Sequence, residues 1–133
     1  MFHKLTRTSL VAITAIVGLL LSSATVFAAE KHGVFYYNKD TGAYGYSYNY
    51  LDKDEAESRA YEECSSFGGG CRHIVTFTGC GAFAEWRSEE GKFVYGYGYD
   101  YGTLKGALDR AMEECMERNN GYKCGVIMYA CNE

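Results

Sequence analysis

The chain has 133 residues and no proline, with thirteen tyrosines and a formal charge of −4. That length suits one compact domain. An acidic chain with no cluster of Lys and Arg is poorly matched to a phosphate backbone, which excludes nucleic acid as the expected partner.

The first segment, "MFHKLTRTSL", carries His3, Lys4 and Arg7 ahead of an apolar run from Leu10 to Leu21. "SSATVFAAE" follows, with Val26 and Ala28 at the minus-three and minus-one positions of a cleavage after Ala28. This order predicts a signal peptide over 1–28 and a mature domain over 29–133. The apolar run is short of the ~18–20 residues that span a bilayer, and no cysteine follows the cleavage point for lipid attachment. The expectation is therefore an exported protein, periplasmic or secreted, with no stable membrane anchor after cleavage. Without Lys4 and Arg7, 11 basic side chains face 17 acidic ones.

The mature chain opens with "GVFYY" (33–37), a turn "NKDTG" and "AYGYSYNY" (43–50), which together predict a β-hairpin. Asp52, with Glu55 three residues on, caps a helix whose apolar stripe is Ala56, Ala60, Tyr61 and Cys64. "SSFGGG" stops that helix, and "CRHIVTFT" (71–78) is extended. The plan then recurs. "GAFAEW" (81–86), "RSEEGK" and "FVYGYGYDY" (93–101) form a second hairpin, and Thr103 caps a second helix. Its Leu104, Ala107, Leu108, Ala111, Met112, Cys115 and Met116 make one apolar face. "NNGYK" ends it, and "CGVIMYA" (124–130) closes the chain as a strand.

This is a duplication. "YSYNYLDKDEAESRAYEEC" (46–64) and "YGYDYGTLKGALDRAMEEC" (97–115) align without a gap, sharing three tyrosines, two alanines, one arginine, two glutamates and the final cysteine. Units 33–80 and 81–131 are too few for an open solenoid. The predicted fold is α+β: two tandem ββαβ units in a pseudo-twofold arrangement, antiparallel-rich, with paired sheets and two helices.

Period-two spacing places Tyr44, Tyr46, Tyr48 and Tyr50 on one face of a strand, and Tyr95, Tyr97, Tyr99 and Tyr101 on one face of another. The structural expectation puts both ladders in one sheet, stacked on each other or under a helix. The functional alternative is an exposed aromatic platform for a sugar, peptide or protein partner.

Six cysteines in a short exported chain form a disulfide framework rather than a zinc site, because no Cys-x-x-Cys pair is present. Fifteen pairings are possible. Symmetry favours Cys64–Cys71 and Cys115–Cys124 as local staples, with Cys80–Cys131 tying the two units together. By loop-closure entropy each local bridge contributes roughly 2.5 kcal/mol and the long one about 4.

No catalytic motif is apparent, and neither a metal nor a cofactor is expected. His32 falls near the loose start of the mature chain, and His73 reads as a surface residue. Glu62–Glu63 and Glu113–Glu114 read as solvated helix faces. Glu85 beside Trp86 is the one acid next to a sugar-stacking type of side chain, and so the least poor candidate for a glycosidase acid.

"TGAYGYSYNY", the acidic Ala-containing helix ending in Cys, and "CRHIVTFTGCGAF" resemble the bacterial domain-of-unknown-function family 4189. The resemblance runs from about Gly33 to Cys131, with tyrosine where the family often has tryptophan and no proline before the first helix. It implies a small exported, disulfide-bonded fold and carries no activity with it. The functional expectation is a non-enzymatic interaction module with a protein or cell-envelope partner. Its surface would comprise the tyrosine strands, Trp86 and the turns around Lys39–Gly42 and Ser88–Lys92. One alternative is an inhibitor or immunity-type protein against a cell-wall hydrolase, and another an enzyme acting on cell-wall sugars.

Overall fold

The structure, a computed structural model, describes Ala24 and residues 28–133. The leader expected over 1–28 otherwise lies outside the described residues. Eight elements follow in order: β1 (His32–Tyr37), β2 (Tyr44–Tyr50), α1 (Lys53–Ser65), β3 (Arg72–Phe77), β4 (Cys80–Arg87), β5 (Phe93–Tyr101), α2 (Leu104–Arg118) and β6 (Gly125–Cys131). They form two antiparallel sheets, β2-β1-β3 and β5-β4-β6. Each sheet is one ββαβ unit, with the same strand order in both copies. The helices begin where the sequence marks them. Asp52 accepts the amides of Asp54 and Glu55, and Thr103 accepts that of Gly106.

Strand alternation sorts the side chains into layers. Phe35, Tyr37, Val75 and Phe77 from the first sheet meet Phe83, Met128 and Ala130 from the second in one buried core. The Phe77 ring lies against both Gly33 and Gly81, where a Cβ would approach to 2.4 and 3.1 Å. On its other face each sheet carries its own helix. Val34 packs with Ala56 and Ala60 of α1, and Ala82 and Ala84 pack with Ala107, Ala111 and Cys115 of α2. The layers run helix, sheet, sheet, helix.

Glycine and serine of the tyrosine strands face the helices, which rules out the alternative that lays the ladders under a helix. A Cβ on Gly45 would sit 2.1 Å from the Ala60 carbonyl, and one on Gly98 2.5 Å from that of Ala107. Ser47 is buried there and donates to the Ala56 carbonyl at 2.7 Å. The helix backbone approaches so closely that larger side chains do not fit, and Tyr44, Tyr46, Tyr48, Tyr95, Tyr97 and Tyr99 take the opposite face. The two ladders also lie in two sheets rather than one.

All six cysteines are bridged, as Cys64–Cys71, Cys115–Cys124 and Cys80–Cys131. Three bridges fit an oxidising compartment, and no helix among the described residues is long and apolar enough to cross a membrane. The pairing is the one symmetry favours, but the role of the long bridge differs from expectation. Cys80 opens β4 and lies directly opposite Cys131 in β6, so the bond joins neighbouring strands of the second sheet. In the first sheet His32 stands at the place of Cys80: His32 pairs with Tyr50 as Cys80 pairs with Tyr101. His32 is buried within β1 rather than loose.

Candidate functional site

β2 and β5 are the edge strands that carry the tyrosines, and neither ladder runs straight to its end. Asn49 and Asp100 adopt left-handed backbone conformations (φ 65° and 61°), and the pairing register slips beside each. The slip reverses the facing of the next residue. Tyr50 therefore packs against the α1 cluster, and the Tyr101 ring lies against Gly106 in the first turn of α2. Three tyrosines of each strand stay on the face toward the other sheet. Tyr46, Tyr95 and Tyr97 are half-buried against the shared core. Tyr44, Tyr48 and Tyr99 are exposed, Tyr48 and Tyr99 by nearly half. The rings of Phe93, Tyr95, Tyr97 and Tyr99 form a continuous stack with centroid spacings of 5.3, 6.2 and 5.8 Å. Tyr46 and Tyr48 stack at 6.3 Å. The ladders are thus half-buried seam at one end and solvent-exposed at the other. Trp86 lies apart from them, against the α2 cluster.

Of the open clefts along these strands among the described residues, three are lined by runs of the tyrosines. Tyr46, Tyr48 and Tyr50 with Arg59 and Glu63 line one of about 250 Å³. Tyr97, Tyr99 and Tyr101 with Arg110 and Glu114 line its counterpart of about 410 Å³, which Arg118 also borders. A third, about 430 Å³, separates β2 from β6 and is walled by Tyr44, Tyr46, Tyr48, Ile127 and Tyr129. A surface drawn from tyrosines alone misses Arg59, Glu63, Arg110 and Glu114, although all four are identities of the repeat. In the second unit the charges are mutually engaged. Glu114 is held by Arg110 at 3.3 Å and Arg118 at 3.0 Å, and is mostly buried rather than solvated. Arg118 also donates to the Tyr95 carbonyl at 2.8 Å and lies over the Tyr95 ring. Burial, then the Glu114 charge, pushes the Tyr97 phenol above its ordinary value.

The acid singled out by sequence is engaged elsewhere. Adjacent strand residues point to opposite faces, so Trp86 joins α2 while Glu85 joins a polar cluster between the units. The Tyr37 hydroxyl donates to Glu85 and accepts from Arg87 Nη2 at 2.6 Å. Arg87 also donates to the Lys39 carbonyl at 2.9 Å and lies 4.8 Å from the centre of the Phe93 ring. Burial, then the hydrogen bond to Glu85, pushes the Tyr37 phenol far above its ordinary value. His73 is a surface residue: its Nε2 lies 2.8 Å from Thr76 Oγ1 and 4.0 Å from Glu57. Both partners approach the same ring nitrogen, so the carboxylate does not orient the imidazole through Nδ1 as a catalytic relay requires. Among the described residues no group of three His, Cys, Asp or Glu side chains converges on a metal position.

The family model described as domain of unknown function DUF4189 matches residues 32–131. The chain belongs to the DUF4189 family. No curated protein matches it. Among solved structures, the DUF4189 chain resembles the NMR structure of Rv1813c from Mycobacterium tuberculosis, with a TM-score of 0.52 and 22% identity over 96% of this chain and 99% of that one. At that identity the likeness concerns the fold alone. The family match spans both tyrosine strands, both helices and all six cysteines of this DUF4189 domain.

Proposed function

We propose that this protein is an exported, non-enzymatic interaction module whose tyrosine edge strands bind a protein or cell-envelope partner. The carrying observation is the row of stacked rings that ends in solvent at Tyr48 (48% exposed) and Tyr99 (46% exposed), at matching positions of the two units. Rings already fixed by their neighbours supply contact area at little further entropic cost, and each phenol adds a hydrogen-bonding tip. The disulfides and the leader read from the sequence support export. Capture by the immobilised mature domain tests the reading. A partner retained by the parent protein and lost from Tyr48→Ser or Tyr99→Ser, with both variants folded, is expected; equal retention by both variants counts against the surface.

A narrower version is an inhibitor or immunity-type protein directed at a cell-wall hydrolase. The acidic face of α1, with Asp54, Glu55, Glu57, Glu62 and Glu63 against Lys53 and Arg59, suits a basic enzyme cleft. Salt-sensitive inhibition of a basic lysozyme at low ionic strength is the outcome that version requires.

A further inference from the structure

The duplication supplies two copies of one sheet edge, and the copies differ in a way that selects between them. Just before β2 the Ala43 carbonyl turns inward to accept the Asn38 amide at 2.8 Å. Antiparallel alternation then directs the N–H and C=O groups of Tyr44, Tyr46 and Tyr48 outward, away from β1. The second unit has the same geometry, since the Tyr95 carbonyl, equivalent to that of Tyr44, points out of β5. There Arg118 seals it: one side chain donates to that carbonyl, covers the Tyr95 ring and grips Glu114. In the first unit the position of Arg118 is taken by Phe67, which cannot donate and stands 72% exposed. Among the described residues β2 pairs only with β1, and no hydrogen bond reaches the Tyr44 carbonyl. Among the described residues the side chain of Glu63, the counterpart of Glu114, has an ion pair only with Arg59, at 3.8 Å. Phe67, Tyr44 and Glu63 instead border an open cleft of about 530 Å³.

We infer that the β2 edge, from Tyr44 to Tyr48, is the binding edge. Its occupant is an extended polypeptide segment with alternating basic and apolar side chains that adds to the first sheet as a fourth strand. The inference deepens the interaction-module reading and rests on it. The occupant's backbone pairs with the outward groups of the three tyrosines. Alternate side chains then fall on the two faces of the edge. Those on the α1 side meet Glu63 and the cleft beside Phe67, which calls for a positive charge on an aliphatic stem. Those on the other side enter the cleft between β2 and β6, against Tyr46, Tyr48 and Ile127, and are apolar. A second copy of this chain is a poor occupant, because β2-to-β2 pairing would bring two acidic α1 faces together.

The test titrates the ¹⁵N-labelled mature protein, disulfides intact, with an acetylated and amidated pentapeptide of alternating lysine and valine. Amide shifts and slowed hydrogen exchange are expected at Tyr44, Tyr46 and Tyr48 and not at Tyr97 or Tyr99. Phe67→Arg, at an exposed site, should weaken binding roughly tenfold by sealing the edge, and Arg118→Ala should open a second site on β5. A peptide N-methylated on its pairing edge should fail to bind. The proposal is overturned by equal binding of the N-methylated peptide, by shifts on β5 of the parent protein, or by no shift at millimolar peptide. It is also overturned by a β2-mediated dimer in sedimentation. None of these results touches the broader reading, whose own failure is the unchanged capture by the Tyr48 and Tyr99 variants.

Discussion

Asn49 and Asp100 occupy the same point of the two tyrosine strands, and each reaches across to the other unit. The Asn49 amide donates to Asn132 Oδ1 at 2.7 Å, and Asn49 Oδ1 accepts the Glu133 amide at 2.7 Å. Asp100 Oδ1 accepts the Thr78 amide at 2.9 Å. Residues just past β6 thus latch the bulge in β2, and a residue just past β3 latches the bulge in β5. The left-handed backbone and the latch depend on one short polar side chain at each place. Asn49→Val and Asp100→Val are expected to cost about 2–3 kcal/mol each, from the left-handed conformation and the lost hydrogen bond together. The glycine variants keep the conformation and should lose only about 1 kcal/mol. Urea unfolding with the disulfides intact measures both; equal losses for valine and glycine would show that the backbone conformation contributes nothing.

The glycines between the tyrosines answer to the helices above them. Gly96→Ala would place a methyl 2.4 Å from the Cys115 amide nitrogen, and Gly98→Ala would place one 2.5 Å from the Ala107 carbonyl. Backbone on both sides cannot yield as a flexible side chain does, so each substitution should cost about 3 kcal/mol or prevent folding. Gly102→Ala, with nothing within 4 Å of the new methyl, should stay within about 0.5 kcal/mol of the parent. Thermal melts of the three variants separate the close approach from a general effect of replacing glycine.

Much of this architecture is legible in the sequence, because duplication reports each element twice. Strand, cap, helix stripe and staple each recur, so a reading that fits "YGYSYNY" is checked by "YGYGYDY". The facing of the tyrosines is less legible. Period-two spacing assigns four rings to one face, and only an Asn and an Asp at matching positions hint at the bulges that divert Tyr50 and Tyr101. The packing under the helices is harder to read, because aromatics signal burial strongly, whereas Gly45, Gly96 and Gly98 signal it by lacking a side chain. The pairing of Glu85 with Trp86 fails for a simpler reason: neighbours along a strand are divided by the sheet. The cluster of Tyr37, Glu85 and Arg87 joins β1 to β4 across the two sheets, and no local pattern encodes such a meeting.

That cluster has a pH signature. The Tyr37 phenol is raised by burial and by its bond to Glu85, so the folded state holds its proton at a pH where the unfolded chain has released it. The associated stability is fully present below the ordinary tyrosine value of about 10 and is lost progressively as pH climbs above it. In a spectroscopic alkaline titration Tyr37 should ionise last, together with unfolding. Tyr37→Phe removes the hydroxyl that Glu85 and Arg87 share, at an expected cost of about 1–3 kcal/mol at neutral pH. The variant should also show a shallower loss of stability above pH ~10. An unchanged alkaline limb in Tyr37→Phe would place the titrating group elsewhere.

The three bridges differ in what they constrain. Cys64–Cys71 and Cys115–Cys124 close loops with separations of 7 and 9 residues beside the helix ends. Cys80–Cys131 closes one of 51 and fastens the edge strand β6 to β4. Chain entropy assigns the long bridge about 4 kcal/mol and each short one roughly 2.5. The Cys80→Ala/Cys131→Ala variant should therefore be the least stable of the three paired-alanine variants in denaturant. It should also fray at β6, with faster amide exchange at Met128 and Ala130, because the first sheet holds the matching position with His32 and without sulfur. The Cys64→Ala/Cys71→Ala variant should leave that exchange unchanged. Full reduction, which removes all three constraints, should unfold most of the domain, since the summed contributions rival the ~5–15 kcal/mol net stability of a typical domain. A cooperative melt unmoved by excess dithiothreitol would show instead that the core between the sheets holds the two units without the staples.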